Sequence, residues 1–278
     1  MLKLKCCDFD LKQTLECGQI FRFNRISDNE YIIFTQSNIA HLIQQNDKDS
    51  KILLIDSNNN DENFWIEYFD LNTDYKKIKE SLFKDEIMKS TISYGSGIHI
   101  LKQDFEEMLI SFIMSQNKQI PQIKQCINLY CQYFGEEQMF QNEKYFSFPK
   151  FNELPSLEDL RKCKVGFRDK YILDALLKIK EGYFDNIKEL SEKEQEDKIL
   201  SIKGVGPKVC NCVMLFGLSR TERFPIDVWI KRLMQDLYFE GEETDNKIIS
   251  DKANDLFGKF SGYAQQYLFY AGISKANL

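Results

Sequence analysis

The chain has 278 residues, of which 43% are hydrophobic and 29% are charged, a composition typical of a globular protein with one large or two modest domains. Its cysteines number 8 and are scattered, and its histidines number only 2, which argues against a disulfide framework and against a metal site. No apolar run approaches the roughly 20 residues of a membrane span, and the first residues lack a signal-peptide core. We therefore expect an intracellular protein without metal or membrane attachment.

The formal net charge of −6 does not by itself favour nucleic acid as a partner. Binding to nucleic acid requires only a local basic face, however. Such a face is predicted where basic residues surround a single acidic one, at Arg161, Lys162, Lys164, Arg168 and Lys170. The alternative interpretation of this cluster is a solvated helix end.

The first 84 residues show the pattern of strands and turns. Short apolar segments at residues 20–23, 31–34 and 52–55 are separated by polar stretches such as residues 57–61. Apolar runs of this length between Asn-, Asp- and Ser-rich segments are typical of β-strands and their connections. We therefore predict a β-sheet-containing domain over residues 1–84.

Residues 85–278 follow a helical period instead, which predicts a mainly helical second region and an α+β fold class. One stripe with the spacing i, i+3, i+4, i+7, i+8 consists of Phe105, Met108, Leu109, Phe112 and Ile113. A further stripe covers residues 120–134. Ser156 and Ser191 each precede an acidic residue at the spacing of a capping box, and so predict helix starts.

Residues 200–216 predict two helices joined by a tight hairpin. Gly204 and Gly206 bracket one apolar residue, and Pro207 stands where a first helical residue is preferred. Glycines allow the chain to turn sharply and to approach another molecule closely, and amides at a helix start can bind a phosphate. A Gly-x-Gly pattern before a helix is also common in ordinary tight turns, so the pattern alone leaves both interpretations open.

A lysine and an aspartate follow at positions that suit chemistry across a cleft. Lys208 lies at the start of the second hairpin helix, and Asp227 comes one helix and one connection later. The positive end of a helix dipole favours the neutral form of an amine, which can then form a Schiff base. A carboxylate can stabilise positive charge that develops on a sugar. The alternative role of Asp227 is that of an N-cap.

This arrangement resembles the helix-hairpin-helix DNA glycosylases, whose hairpin is followed by a loop and an aspartate. The resemblance implies base removal with Asp227, and a lysine in the hairpin implies an added lyase activity through Lys208. Relatives of the endonuclease III type carry a four-cysteine iron–sulfur motif after the aspartate. This chain has no cysteine beyond Cys212, so we expect no iron–sulfur cluster and no other cofactor.

Within that superfamily the chain is similar to the 8-oxoguanine DNA glycosylases. The motifs that carry the resemblance are residues 17–23 (CGQIFRF), 102–104 with 111–117 (KQD and SFIMSQN), 166–168 (GFR) and 262–269 (GYAQQYLF). The family fold implies an N-terminal antiparallel sheet and two helical lobes with the active site in the cleft between them. The implied base pocket consists of Gly18, Cys212, Phe216, Gln265 and Phe269. The implied DNA contacts are Asn117, Gln122, Phe167, Arg168, Gly204, Gly206 and Trp229.

The family's roles imply how the lesion is read. Oxidation turns guanine N7 from an acceptor into an N–H donor, and the Gly18 carbonyl would accept from that donor. Phe269 and Cys212 would sandwich the ring, and Gln265 would bind its Watson–Crick edge. Asn117 and Phe167 would fill the gap that the flipped base leaves in the duplex.

The chain departs from the family pattern at several of these positions. Gln122 replaces an arginine that reads the orphaned cytosine, which predicts a relaxed preference for the opposite base. Phe167 stands where tyrosine is common, Trp229 where a histidine near the DNA phosphate is found, and Phe216 where a methionine lines the pocket. These differences leave the lysine–aspartate pair intact.

The expected partner is double-stranded DNA with a damaged base, bound by a monomer in the nucleoid of a bacterium or the nucleus of a eukaryote. Three alternatives stay open. The chain could be a lyase-competent glycosylase for another oxidised base such as a pyrimidine. It could be a non-catalytic helix-hairpin-helix module that only binds DNA, or a helical protein with an incidental glycine turn.

Overall fold

The N-terminal part of the computed structural model, which describes residues 1–47 and 50–273, is built on an antiparallel sheet. The strands of the protein are β1 (Leu2–Cys6), β2 (Phe23–Ser27), β3 (Glu30–Thr35), β4 (Asn38–Asp47), β5 (Ser50–Ser57), β6 (Glu137–Phe140) and β7 (Glu143–Phe146). The first five form one sheet in the order β1-β5-β4-β3-β2, and β6 pairs with β7 in a separate hairpin. In β3 the inward Tyr31, Ile33 and Thr35 alternate with less buried residues, because successive side chains of a strand point to opposite faces.

Helices make up most of the rest of the chain. They are α1 (Leu11–Glu16), α2 (Glu62–Tyr68), α3 (Tyr75–Leu82), α4 (Glu86–Tyr94), α5 (Phe105–Ser115), α6 (Ile120–Phe134), α7 (Leu157–Lys162), α8 (Asp169–Lys180), α9 (Glu192–Leu200), α10 (Pro207–Leu218), α11 (Val228–Tyr238), α12 (Asn246–Phe257) and α13 (Ser261–Ile273). Side chains of Ser156 and Ser191 cap α7 and α9, as predicted. The α+β class with an N-terminal antiparallel sheet and a helical remainder is thus confirmed.

Two hydrophobic clusters hold the molecule together. One lies on the sheet and includes Leu42, Ile55 and Trp65. The other is the larger helical core, in which α5 is buried along nearly its whole length and packs against α10. Phe21, from the N-terminal region, packs in the helical core. The predicted domain boundary after residue 84 stays a prediction.

A buried ion pair fastens the sheet region to α5. Arg22 and Glu107 lie 3.2 Å apart and are both almost inaccessible to solvent. Arg22 also donates to the carbonyl of Phe146 at 2.7 Å, and Glu107 accepts from the backbone N–H of Gln36 at 2.7 Å. Buried charges need such partners, because an unpaired charge in the interior is costly. The contacts fix the sheet, the β6–β7 hairpin and α5 relative to one another.

The structure differs from the sequence prediction in two places. Of residues 20–23, only Phe23 lies in a strand, while Ile20 and Phe21 are buried in the connection between α1 and β2. The β6–β7 hairpin was not predicted. Over residues 1–47 and 50–273, no helix combines the length and the apolar character needed to cross a membrane.

Candidate active site

The hairpin between α9 and α10 has the predicted helix-hairpin-helix geometry. Gly204 has φ +77°, and a Cβ there would lie 2.4 Å from the ring of Tyr171, so both conformation and packing require glycine. Gly206 is the N-cap of α10, with Pro207 as its first residue. A Cβ built on Gly206 would meet no atom within 4 Å. The hairpin therefore leaves open space at the positive end of α10, where an anion can approach the backbone amides.

One face of α10 carries the candidate nucleophile. Lys208, Cys212 and Phe216 recur at i, i+4 and i+8 and so lie on the same side of the helix. The Nζ of Lys208 lies 5.4 Å from the ring centroid of Phe112 on α5. Phe112 stacks on Phe216 at 5.5 Å and 15°. The amine therefore lies next to a pair of stacked aromatic rings, one contributed by α5 and the other by α10.

Asp227 lies at the same site while also capping α11. Its Oδ1 accepts a hydrogen bond from the backbone N–H of Ile230 at 2.8 Å, and no group within residues 1–47 and 50–273 donates to its Oδ2. Burial raises the pKa of the Cys212 thiol; the nearby Lys208 lowers it in part, and Asp227 raises it. The amine and the carboxylate thus both act on this one thiol. Because burial has the largest effect, the thiol is held in its protonated form, which leaves the Lys208 amine as the candidate nucleophile of the group.

The structure also brings together two residues of the predicted base pocket, Gly18 and Phe269. Gly18 has φ +81°, and a Cβ there would lie 2.8 Å from Cε1 of Phe269. The loop after α1 and the end of α13 are therefore in direct contact at these two residues. Gln265, one turn earlier on α13, is buried and accepts a hydrogen bond from the side chain of Gln266 at 2.7 Å.

Asn117 lies on an exposed turn beyond α5 and adopts the left-handed conformation, with φ +48°. Asparagine tolerates this conformation better than most residues. Arg168 was expected to offer a free cation beside it, but it is only 4% exposed. Its guanidinium donates to the carbonyls of Val165 and Gln116 instead. Carbonyl groups at turns need donors, so Arg168 holds the turn that presents Asn117.

Three other predicted DNA contacts lie at the surface. Phe167 is 55% exposed and Trp229 is 66% exposed. Trp229 follows Asp227 closely at the start of α11. Gln122 is exposed, but its side-chain oxygen accepts from the backbone N–H of Gln119 at 3.2 Å and so helps to begin α6.

The predicted basic face is partly neutralised. Arg161 pairs with Asp169 at 2.7 Å, and Lys162 pairs with Asp159 at 2.7 Å. A surface cavity of about 490 Å³ nevertheless lies between the exposed Phe167 and the hairpin, with Arg161, Lys170 and Lys203 on its rim. Lys203 was not singled out in the sequence, although it stands immediately before Gly204.

The wedge-like Phe167 and the hairpin are connected through one aromatic side chain. The rings of Phe167 and Tyr171 meet edge to face at 5.9 Å, and the other side of Tyr171 packs against Gly204. Phe167, the cavity and the hairpin therefore form one continuous face. Sequence reasoning also missed the contacts of Phe112 with Lys208, of Gln19 with His99 and of Gln103 with Gln19, because these partners are distant in the chain.

The described residues contain no group of three or more histidine, cysteine, aspartate or glutamate side chains that could hold a metal ion.

Comparisons with known proteins agree with this geometry. The model of the 8-oxoguanine DNA glycosylase N-terminal domain matches residues 1–109. A probable N-glycosylase/DNA lyase from Methanothermobacter thermautotrophicus is 29% identical over 228 aligned positions, and the match covers 73% of this chain and 72% of that protein.

Solved structures extend the likeness to nearly the whole chain. MBOgg1, solved in complex with a low-affinity DNA ligand, is 40% identical with a TM-score of 0.92, and the match covers 99% of both chains. The 8-oxoguanine glycosylase/lyase of Clostridium acetobutylicum was solved in complex with double-stranded DNA containing cytosine opposite 8-oxoguanine. It is 34% identical with a TM-score of 0.89, over 99% of this chain and 98% of that one.

Proposed function

The chain belongs to the 8-oxoguanine DNA glycosylase family, and from this we infer that Lys208 and Asp227 carry out the family's reaction in this protein. The protein is a bifunctional DNA glycosylase and abasic-site lyase that removes 8-oxoguanine from DNA. The observation that carries the residue assignment is the shared site of the Lys208 amine and the Asp227 carboxylate beside Cys212.

The proposed reaction begins with attack of the neutral Lys208 amine on C1′ of the damaged nucleotide. The N-glycosidic bond breaks, and its electron pair leaves with the base, which takes up a proton. Asp227 stabilises the positive charge that develops on the sugar while this bond breaks. Opening of the sugar ring then gives a Schiff base with Lys208. Loss of a proton from C2′ expels the 3′-phosphate, and hydrolysis of the Schiff base releases the lysine.

The location of Lys208 suits this role. It lies in the first turn of α10, next to the open space that Gly206 leaves at the hairpin. Its Nζ lies 5.4 Å from the ring centroid of Phe112 on α5. The protonated Cys212 thiol below it does not compete as a nucleophile, because burial raises its pKa.

We propose that Gly18 reads the lesion through its carbonyl oxygen. 8-Oxoguanine carries an N–H at position 7, whereas guanine carries a lone pair there. A carbonyl oxygen accepts from the former and repels the latter, and an unpaired polar contact in a buried pocket costs enough free energy to discriminate between them. Phe269 would swing away from Gly18 and stack on the inserted base, whose other edge meets Gln265.

The proposed DNA interface is the face that runs from Asn117 through Phe167 to the hairpin. Asn117 and Phe167 fill the space of the flipped base, which offsets part of the few kcal/mol that unstacking costs. The amides around Gly206 bind a phosphate of the damaged strand. Trp229, beside Asp227, is proposed to contact the backbone next to the lesion.

Several finer features are proposals that rest on the residues present. Gln122 carries no charge and is engaged in the first turn of α6, so we propose only a weak preference for cytosine opposite the lesion. The amine and carboxylate account for both steps without a metal, an iron–sulfur cluster or another cofactor. The site uses residues of one chain, so we propose that the protein acts as a monomer, in the nucleoid or the nucleus.

The test of this function is a single-turnover assay on three duplexes that carry 8-oxoguanine, guanine or an oxidised pyrimidine at one position. We expect release of 8-oxoguanine followed by strand cleavage, and loss of both with Lys208→Gln. Cleavage of only the pyrimidine duplex would overturn the choice of lesion. Binding without any cleavage would instead indicate a module that grips DNA but has no enzymatic activity.

A further inference from the structure

We infer that Gln19 and Gln103 are positioning residues that fix the orientation of the Gly18 carbonyl and thereby set the discrimination between 8-oxoguanine and guanine. This inference rests on the proposed function, since it concerns how the reading group is held. Neither residue is expected to touch the DNA. The group that has to be held is the peptide unit that Gly18 and Gln19 share.

A carbonyl can discriminate between a donor and an acceptor only when its peptide unit cannot turn over. The Gly18 carbonyl and the Gln19 N–H belong to the same planar unit. If this unit rotated, the N–H would take the place of the carbonyl oxygen and would favour the N7 lone pair of normal guanine. Gly18, with φ +81°, has no Cβ to oppose such a rotation. The fixed orientation therefore has to come from the neighbouring residues.

The Gly18 carbonyl is also free to accept from a ligand. Within the described parts of the chain, no backbone or side-chain group donates a hydrogen bond to its oxygen. The residue itself is partly accessible and lies against Phe269. An accessible carbonyl without a donor, in contact with the ring that closes the pocket, suits a reading group.

Gln19 is locked by its side chain on the far side of this peptide. It is 0% exposed. Its Nε2 donates to the carbonyls of Thr14 at 2.9 Å and His99 at 2.8 Å, and its Oε1 accepts from the N–H of Leu101 at 2.8 Å. These bonds join α1 to the segment before α5. They hold the Gln19 side chain in a buried environment, where lost hydrogen bonds are costly, so the Gly18–Gln19 unit can rotate only if the φ of Gln19 changes while its side chain stays fixed.

Gln103 completes the lock and ties it to the catalytic helix. Its Nε2 donates to the Gln19 carbonyl at 2.8 Å, and its backbone N–H donates to the Phe216 carbonyl at 3.2 Å. Phe216 lies on α10, on the same face as Lys208. Gln103 therefore connects the loop that reads the base with the helix that attacks the sugar, and keeps the two at a fixed separation.

The amide group is required at both positions for a chemical reason. The Nε2 atoms of Gln19 and Gln103 face backbone carbonyl oxygens, which accept hydrogen bonds but cannot donate them. A methionine has a similar volume but no donor, and a carboxylate would repel these oxygens. A protonated carboxyl group could still donate. Substitutions can therefore separate loss of the donor from loss of volume.

The test compares Gln103→Met with a matched control, Gln195→Met. Gln195 is also fully buried. Its Nε2 donates to the carbonyl of Ile187 at 2.8 Å and its Oε1 accepts from Arg220 at 2.7 Å, and neither partner belongs to the proposed pocket. Single-turnover rates are measured on duplexes with 8-oxoguanine, guanine or a preformed abasic site. With Gln103→Met we expect the preference for 8-oxoguanine over guanine to fall about tenfold or more. We also expect excision to fall about tenfold relative to abasic-site cleavage. Gln195→Met should leave both ratios unchanged.

A second variant covers the case in which Gln103→Met does not fold. Gln103→Glu keeps the volume, and its carboxyl donates only while it is protonated, so the preference for 8-oxoguanine should rise as pH falls from 8 to 6. An unchanged preference, or an equal loss of excision and abasic-site cleavage, would overturn the inference and leave only a structural role. A wild-type protein that does not prefer 8-oxoguanine would instead refute the proposed function.

Discussion

The two roles of Asp227 can be separated by substituting it in two ways. Its Oδ1 caps α11 through the bond of 2.8 Å to the Ile230 N–H, and its charge lies at the catalytic site. Asparagine caps helices about as well as aspartate does, whereas alanine forfeits about 1 kcal/mol. In a protein of this size that loss lowers Tm by roughly 2–4 °C. Asp227→Asn should therefore keep the stability and Asp227→Ala should not.

The effect on catalysis should follow the charge instead of the cap. Removal of one preorganised electrostatic group typically lowers kcat by about 10²–10³. We expect both Asp227→Asn and Asp227→Ala to lose base excision by about this factor. Thermal unfolding and single-turnover excision of 8-oxoguanine provide the two measurements. If Asp227→Asn excised the base at the wild-type rate, Asp227 would be an N-cap and nothing more.

Further predictions concern the pocket, the DNA face and pH. Gly18→Ala should lower the free energy of unfolding by about 1–2 kcal/mol, because the φ of +81° strains alanine. It should also slow base excision in single-turnover assays, because the new Cβ meets Phe269. Excision at the wild-type rate would refute this prediction. Lys203→Gln should reduce the slope of log K against log salt by about 1 for undamaged duplex, and an unchanged slope would remove Lys203 from the DNA face. Gln122→Arg should raise the preference for cytosine opposite the lesion, measured on duplexes with each of the four opposite bases; a strong cytosine preference already present in the wild type would contradict the proposal. Burial lowers the pKa of His99 from 6.5 to about 4. His99 therefore binds a proton below about pH 6.5 in the unfolded chain, but only below about pH 4 in the folded protein. The wild type should thus lose up to about 3 kcal/mol of unfolding free energy over that window, a loss that urea titrations should not find in His99→Gln.

The features that the sequence predicted are those encoded locally. The capping of α9 by Ser191, the place of Pro207 at the start of α10, and the capping by Asp227 each depend on residues within one helical turn. The order of motifs then predicted that Lys208 and Gly18 belong to the same site. Local rules were sufficient here because the hairpin and its helices follow ordinary capping chemistry.

The features that the sequence did not predict depend on partners far along the chain. The role of Gln103 depends on Gln19, and the burial of Arg168 depends on a carbonyl in the turn after α5. The β6–β7 hairpin was missed for another reason. Its turn places Gln141 and Asn142 at positive φ, where the usual signal is glycine. A glutamine at that position gives no recognisable turn signature.

The central claim is that Lys208 forms a covalent bond with the sugar from which 8-oxoguanine departs. The most direct measurement is borohydride trapping on a duplex with one 8-oxoguanine opposite cytosine, followed by mass spectrometry of the cross-linked peptide. We predict an adduct on Lys208 that is absent with Lys208→Gln. An adduct on another residue, or base excision with no adduct, would contradict the account.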